Sequence, residues 1–241
     1  MFFLFQHLNI SNRCISDGKM KAKEKLIIAG TGLFAEVAKA YFEEYSRFGV
    51  ASFACHSQYR KSDKIFGRPL HDLETLKDRC DTGDHYVFVA IGYGKMNRMR
   101  QTVYEEVRRM GYRCATFVHP GIKIWPSTTL GDNVFIFEDN TLQPFTSIGA
   151  DTILWSGNHI GHHSKIGNHC FISSHVVISG SCTIGNNVFI GVNSTLRDGI
   201  HIADESLIGA GSIIMKDTRP KEVYMAERTR PFHLNSEDVG F

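Results

Sequence analysis

The chain has 241 residues, 42% of them apolar, enough for one or two domains with real cores. Its charge is nearly balanced, 27 Lys plus Arg against 25 Asp plus Glu without a run of five like charges, which excludes the concentrated positive face that nucleic-acid binding needs. No stretch approaches the ~20 apolar residues of a membrane helix, and six cysteines with no CxxC pair point to reduced thiols and a cytoplasmic protein without membrane insertion.

Residues 1–23 begin Met1-Phe2-Phe3-Leu4-Phe5, a greasy run that lacks the basic flank and the length of a signal peptide. With Met20 just ahead of the first strand-like segment, this stretch reads as a disordered extension or a non-native start. Lys25 to Ala29 then reads as a buried strand that runs into Gly30-Thr31-Gly32-Leu33-Phe34-Ala35 and a helix from Glu36 to about Phe48. Strand, glycine turn and helix in that order form the setting in which helix amides meet a phosphate; the plainer alternative is a tight turn that only needs glycine. A second strand over 51–54 ends at Cys55-His56, where dinucleotide folds place a carboxylate near the ribose. A third strand, Tyr86 to Ile91, leads through Gly92-Tyr93-Gly94 to a basic helix from Lys95 to Met110, and Ala115-Thr116-Phe117 forms a last short strand. Residues 24–116 thus predict a small α/β, Rossmann-like domain with a parallel sheet.

From Val118 through Ile124, Leu130 and Ile136 to Ile214, an aliphatic residue stands at every sixth position, seventeen in all, and a mostly small residue follows four places later. Six is neither the helical period nor the alternation of an ordinary strand. The pattern resembles the hexapeptide repeat of all-β, left-handed parallel β-helices, where three hexads make a triangular coil and residues eighteen apart stack. Residues 117–217 therefore predict about five coils of such a prism, followed by a polar tail over 218–241. Asn140 and Asn158 share an inward position one coil apart and read as a structural amide ladder.

Four segments in order, GTGLFAEVAKA, FGRPLHDLETL, AIGYGKMNRMR and FVHPGIKI followed by the hexads, resemble the sialic acid O-acetyltransferase family, which includes the sugar N-acetyltransferases of bacillosamine and perosamine synthesis. The resemblance implies a homotrimer, acetyl-CoA in the groove between neighbouring prisms, and a nucleotide-linked sugar held by the N-terminal domain. It places the catalytic histidine at His162, a general base for acyl transfer. His163 stands where many relatives have an acidic residue that orients the imidazole. Gly180, eighteen residues on, offers its N–H as oxyanion donor. The same resemblance implies acetyl-CoA contacts at Phe171, Val192 and Ala210, with Gly191 and Gly209 keeping the strip smooth and Lys216 near a CoA phosphate. For the nucleotide sugar it implies Gly30, Thr31, Gly32 and Leu33, with Cys55 and His56 replacing a pair of aspartates. Trp155 is either a platform for a sugar face or a corner residue.

The expected activity is acetyl transfer to an amino sugar in bacterial surface-polysaccharide or glycan biosynthesis. O-acetylation by the same fold and a non-catalytic nucleotide-sugar-binding scaffold remain the alternatives. No metal is expected: His163, His169 and His175 are six apart and fall on three different faces, and the H-x4-H pair of zinc-dependent hexapeptide prisms is absent.

Overall fold

The computed structural model describes residues 23–231, 233, 234 and 236–238; the expectations for residues 1–22 lie outside them. The α/β region is built from strands β1 (Glu24–Ala29), β2 (Phe48–Cys55), β3 (Lys64–Ile65), β4 (Arg68–Asp72), β5 (His85–Val89) and β6 (Arg113–Cys114), with helix α1 (Leu33–Tyr45) after β1 and α2 (Arg98–Arg109) after β5. The sheet order is β3-β4-β2-β1-β5-β6. All pairs are parallel except the β3–β4 hairpin, an antiparallel edge absent from the sequence reading.

Alternation along β1 divides the region into two cores. Leu26 and Ile28 face Ala35, Ala38 and Phe42 of α1, and Ile27 and Ala29 face Val103 and Val107 of α2. Three boundaries differ from the sequence reading. Helix α1 ends at Tyr45 because Ser46 Oγ donates to Phe42 O (2.6 Å) and accepts the Phe48 N–H (3.1 Å), which frees Phe48 to begin a strand. Helix α2 starts at Arg98, since Lys95, Met96 and Asn97 are left-handed (φ 50°, 53° and 63°). Phe117–Val118 leaves the α/β sheet and pairs with Phe135–Ile136 as the first strand of the prism.

From Phe117 onward the chain winds as a left-handed β-helix of two-residue strands in sheets of seven, five and five. The outward residues define three faces. One carries Phe117, Phe135, Ile153, Phe171, Phe189 and Leu207; a polar one carries Thr129, Ser147, Lys165, Thr183 and His201; a third carries Thr141, His159, Val177, Thr195 and Ile213. The hexad aliphatics from Ile136 to Ile214 are buried in the bore with Val134, Cys170, Val176, Cys182 and Val188. Ile124 departs from the pattern: it lies outside any strand and is 39% exposed, while Ile122 packs on the bore instead. The amide ladder is present, as Asn140 Oδ1 accepts the Asn158 N–H (3.3 Å) and Asn158 Oδ1 accepts the Val176 N–H (2.8 Å).

The α/β region sits on the aromatic face. Phe34, Tyr41, Phe42 and Phe88 meet Phe117, Phe135 and Phe137 at ring separations of 5.0 to 6.3 Å. A fully buried Arg100 extends from α2 to Asp151 Oδ1 (3.2 Å), Asp151 O (3.0 Å) and Cys170 O (3.1 Å). Asp151 also accepts from Asn133 (2.7 Å) and faces His169 Nδ1 (2.8 Å). A buried pair of this kind contributes little net stability, yet removing one partner costs about 3–5 kcal/mol. It fixes how the two regions sit on each other.

Candidate active site

At the C-terminal edge of the α/β sheet, where open sheets of this kind bind ligands, a cavity of about 690 Å3 lies between the glycine turn and the loop after β5. Gly30, Thr31, Gly32, Leu33, Cys55 and His56 all line it. Gly30 has φ +143°, and a Cβ there would lie 2.5 Å from Ala90 O, so both backbone and space demand glycine. Gly32 precedes α1 without a side-chain cap; the Ala35 N–H donates to Gly32 O (2.9 Å), which leaves the Leu33 and Phe34 amides and the positive end of the helix dipole to an anion.

The Cys55–His56 end of β2 is chemically quiet at one residue and polar at the other. Burial, then the charges of Asp72 and Glu74, push the Cys55 thiol up, so it stays protonated. His56 Nε2 meets Glu106 Oε2 at 2.8 Å. A carboxylate is therefore present behind His56, supplied through space by α2 rather than along β2, and sequence reasoning missed it.

His162 lies at the corner between the third face and the polar face. Its N–H donates to Gln143 Oε1 (2.8 Å), and its Nδ1 stands 3.2 Å from His163 Nδ1. The His163 ring stacks on Phe145, 4.7 Å away and inclined by 28°. Gly180 is directly against His162: a Cβ there would be 2.7 Å from Cε1. Its expected service as oxyanion donor is not what the geometry offers, because the Gly180 N–H already donates to Asp198 Oδ1 (2.7 Å), and a carboxylate beside that amide opposes a developing negative charge. Gly180 instead provides the space in which the imidazole lies.

The residues expected along an acetyl-CoA strip do not form one strip on a single chain. Gly191, Val192, Gly209 and Ala210 lie at the corner between the aromatic and third faces, with Val192 43% exposed. Lys216 shares the His162 corner two coils below Gly180 and is exposed. Phe171 is 6% exposed under the α/β region, packed on Tyr93 (5.0 Å), Phe189 (5.8 Å) and Trp155 (5.9 Å). It is an outward residue of the covered face, and the α/β region occupies the surface a cofactor would need. Trp155 lies in the same junction, with ring centroids 4.2 Å from Phe137 and 5.8 Å from Phe34. His163, His169 and His175 stand at three different corners, each with φ near +60°. Among the described residues no three His, Cys, Asp or Glu side chains gather as metal ligands.

Residues 145–180 and 181–216 match the family model described as bacterial transferase hexapeptide (six repeats). Over those residues the prism is similar to the hexapeptide repeat of bacterial transferases. Beyond it, both regions superpose on solved structures. A histidine-to-asparagine variant of perosamine N-acetyltransferase from Caulobacter crescentus, in complex with CoA and GDP-perosamine, aligns with a TM-score of 0.72 at 24% identity over 83% of this chain and 92% of that one. The acetyltransferase domain of PglB from Neisseria gonorrhoeae, in complex with acetyl coenzyme A, aligns with a TM-score of 0.54 at 18% identity over 83% and 95%. No curated protein sequence matches this chain.

Within this chain the cavity and the histidine corner lie on opposite sides of the prism. The cavity belongs to the region seated on the aromatic face, and His162 lies at the one corner that does not border that face. Gln143, Phe145 and Asp198 were overlooked in sequence. Two were within reach of the stacking rule, since Phe145 is eighteen residues before His163 and Asp198 eighteen after Gly180.

Proposed function

We propose that the protein transfers the acetyl group of acetyl-CoA to the amino group of a nucleotide-linked sugar, as a homotrimer, with His162 as general base. What carries this reading is the shared arrangement of both regions, cavity-bearing domain and prism together, with the C. crescentus N-acetyltransferase over 83% of the chain. The separation of cavity and histidine corner supports a composite site, in which one copy holds the sugar nucleotide and its neighbour brings His162. Exposed Val177, Val192, Ile213 and Met215 on the third face and its corners support packing of one prism on another.

In this reading the uncapped start of α1 takes the diphosphate, and Thr31 and Leu33 flank it. Gly191, Val192, Gly209 and Ala210 of one prism form a smooth edge for the pantetheine, and Lys216 reaches a CoA phosphate. His162 Nε2 removes a proton as the sugar nitrogen bonds to the thioester carbonyl carbon. The carbon–sulfur bond then breaks, and the proton held on His162 passes to the departing CoA thiolate, leaving an amide and free CoA. Such a protein works where acetyl-CoA and sugar nucleotides are made, in the cytoplasm, and its product enters surface-polysaccharide or glycan assembly.

The test is incubation with acetyl-CoA and a panel of GDP- and UDP-linked amino sugars, following free thiol and product mass. One member of the panel gains an acetyl group, and His162→Ala slows that transfer by roughly 100- to 10,000-fold, the usual share of a general base. Transfer to none of the panel, or near-normal turnover by His162→Ala, contradicts the proposal.

A further inference from the structure

The two adjacent imidazoles at the exposed corner meet through like atoms, Nδ1 to Nδ1 at 3.2 Å. A neutral imidazole carries one hydrogen on one nitrogen, so this contact holds if one Nδ1 donates and the other accepts. Two hydrogens, or none, between the atoms would make the contact repulsive. The tautomers of the rings are therefore tied together, and the atom that bears the hydrogen decides which ring has a free lone pair at Nε2. Neither Nε2 has a hydrogen-bond partner among the described residues.

The surroundings distinguish the two rings. His163 is clamped: its ring stacks on Phe145, its backbone is left-handed at φ 60°, and its N–H donates to Pro144 O (3.2 Å). His162 has no such stacked neighbour and lies over the bare Cα of Gly180.

We propose that His163 is a positioning residue: its Nδ1 accepts the His162 Nδ1–H, which locks His162 in the tautomer whose Nε2 lone pair takes the substrate proton. This rests on the reading of His162 as base. When His162 gains that proton it becomes an imidazolium with hydrogens on both nitrogens, and its Nδ1–H still donates to the neutral His163, now as a charge-assisted bond. His163 supplies direction and tautomer without itself changing protonation. Phe145 holds the acceptor in place.

Two variants and one spectrum test this. His163→Gly removes the acceptor at a backbone angle that glycine adopts freely, and kcat falls by roughly 10- to 100-fold, the scale seen when the partner that orients a metal-bound histidine is lost, with KM for both substrates unchanged. His163→Asn places an amide oxygen near the position of Nδ1 and restores kcat to within a few-fold of the parent. In the parent protein labelled with 15N-histidine, at a pH where both rings are neutral, His162 carries its hydrogen on Nδ1, and His163→Gly moves it to Nε2. Unchanged kcat in His163→Gly, an Asn variant no better than the Gly variant, or a parent His162 protonated on Nε2 overturns the proposal. Turnover by His162→Ala would instead remove the base itself, so the two failures are distinguishable.

Discussion

Gly180 is against the Cε1–Nε2 edge of the His162 ring with no room for a methyl group, since a Cβ there would lie 2.7 Å from Cε1. Its φ is outside the left-handed region, so alanine suits the backbone, and the atom that must yield is the end of a mobile side chain. We therefore expect Gly180→Ala to leave the melting temperature unchanged and to lower kcat by about 100-fold, the usual effect of a displacement near 1 Å at a reacting group; a steady-state assay beside a thermal melt checks it, and full activity would detach His162 from the chemistry. The neighbourhood of Gly180 and His162 was legible in the sequence because stacking at eighteen residues is arithmetic. The use of the Gly180 amide by Asp198 was not, since arithmetic places Asp198 in the column but only its rotamer decides what it accepts. Phe171 teaches the complementary lesson. A family position suggested a cofactor contact, whereas the outward column Phe117, Phe135, Ile153, Phe171 and Phe189 already marked a face too apolar to meet water.

Between elements, the carboxyl of Glu138 joins α1 to the prism, accepting from Tyr41 Oη and from Ser156 Oγ, each at 2.7 Å. Burial disfavours its charge, but the hydrogen bonds from Ser156 and Tyr41, with a smaller contribution from His119, outweigh it and hold the carboxyl below its ordinary 4.5. A folded pKa below the unfolded one contributes stability that is complete above the unfolded value and is lost as pH falls through the folded one. Acidification below about 4.5 should thus lower the melting temperature, and Glu138→Gln should make that decline shallower than in the parent. Parallel declines would place the acid sensitivity elsewhere. The existence of both helices and the central strands of the α/β sheet was readable from apolar runs and glycine turns. Their ends were not, because Ser46 stops α1 by a side-chain bond that only its rotamer decides, and Asn97 holds the left-handed entry to α2 through a bond to Val188 O (3.2 Å) on the prism, a contact that no local pattern encodes.

At the scale of the whole molecule, the prism was legible as a fold, since aliphatics at a period of six run unbroken through the buried column from Ile136 to Ile214; only near its start does the chain leave the pattern, where Ile124 is exposed and Ile122 packs on the bore. Which face the α/β region covers follows from the aromatic column, and it leaves the His162 corner on the far side from the cavity that begins at Gly30. One chain cannot bring the two together without dismantling Arg100 and Asp151, the buried pair that joins the regions. On the proposed composite site, cavity and base belong to different copies. Gly32→Trp blocks the cavity at a position where an added Cβ meets no atom within 4 Å, and His162→Ala removes the base, so each variant alone is inactive. Co-expressed in equal amounts, the two variants should recover about a quarter of the parental activity, the statistical share of contacts in a closed ring that pair a sound cavity with a sound histidine. Recovery of none, with mixed assemblies verified by mass, would place cavity and histidine in the same chain and contradict the composite site.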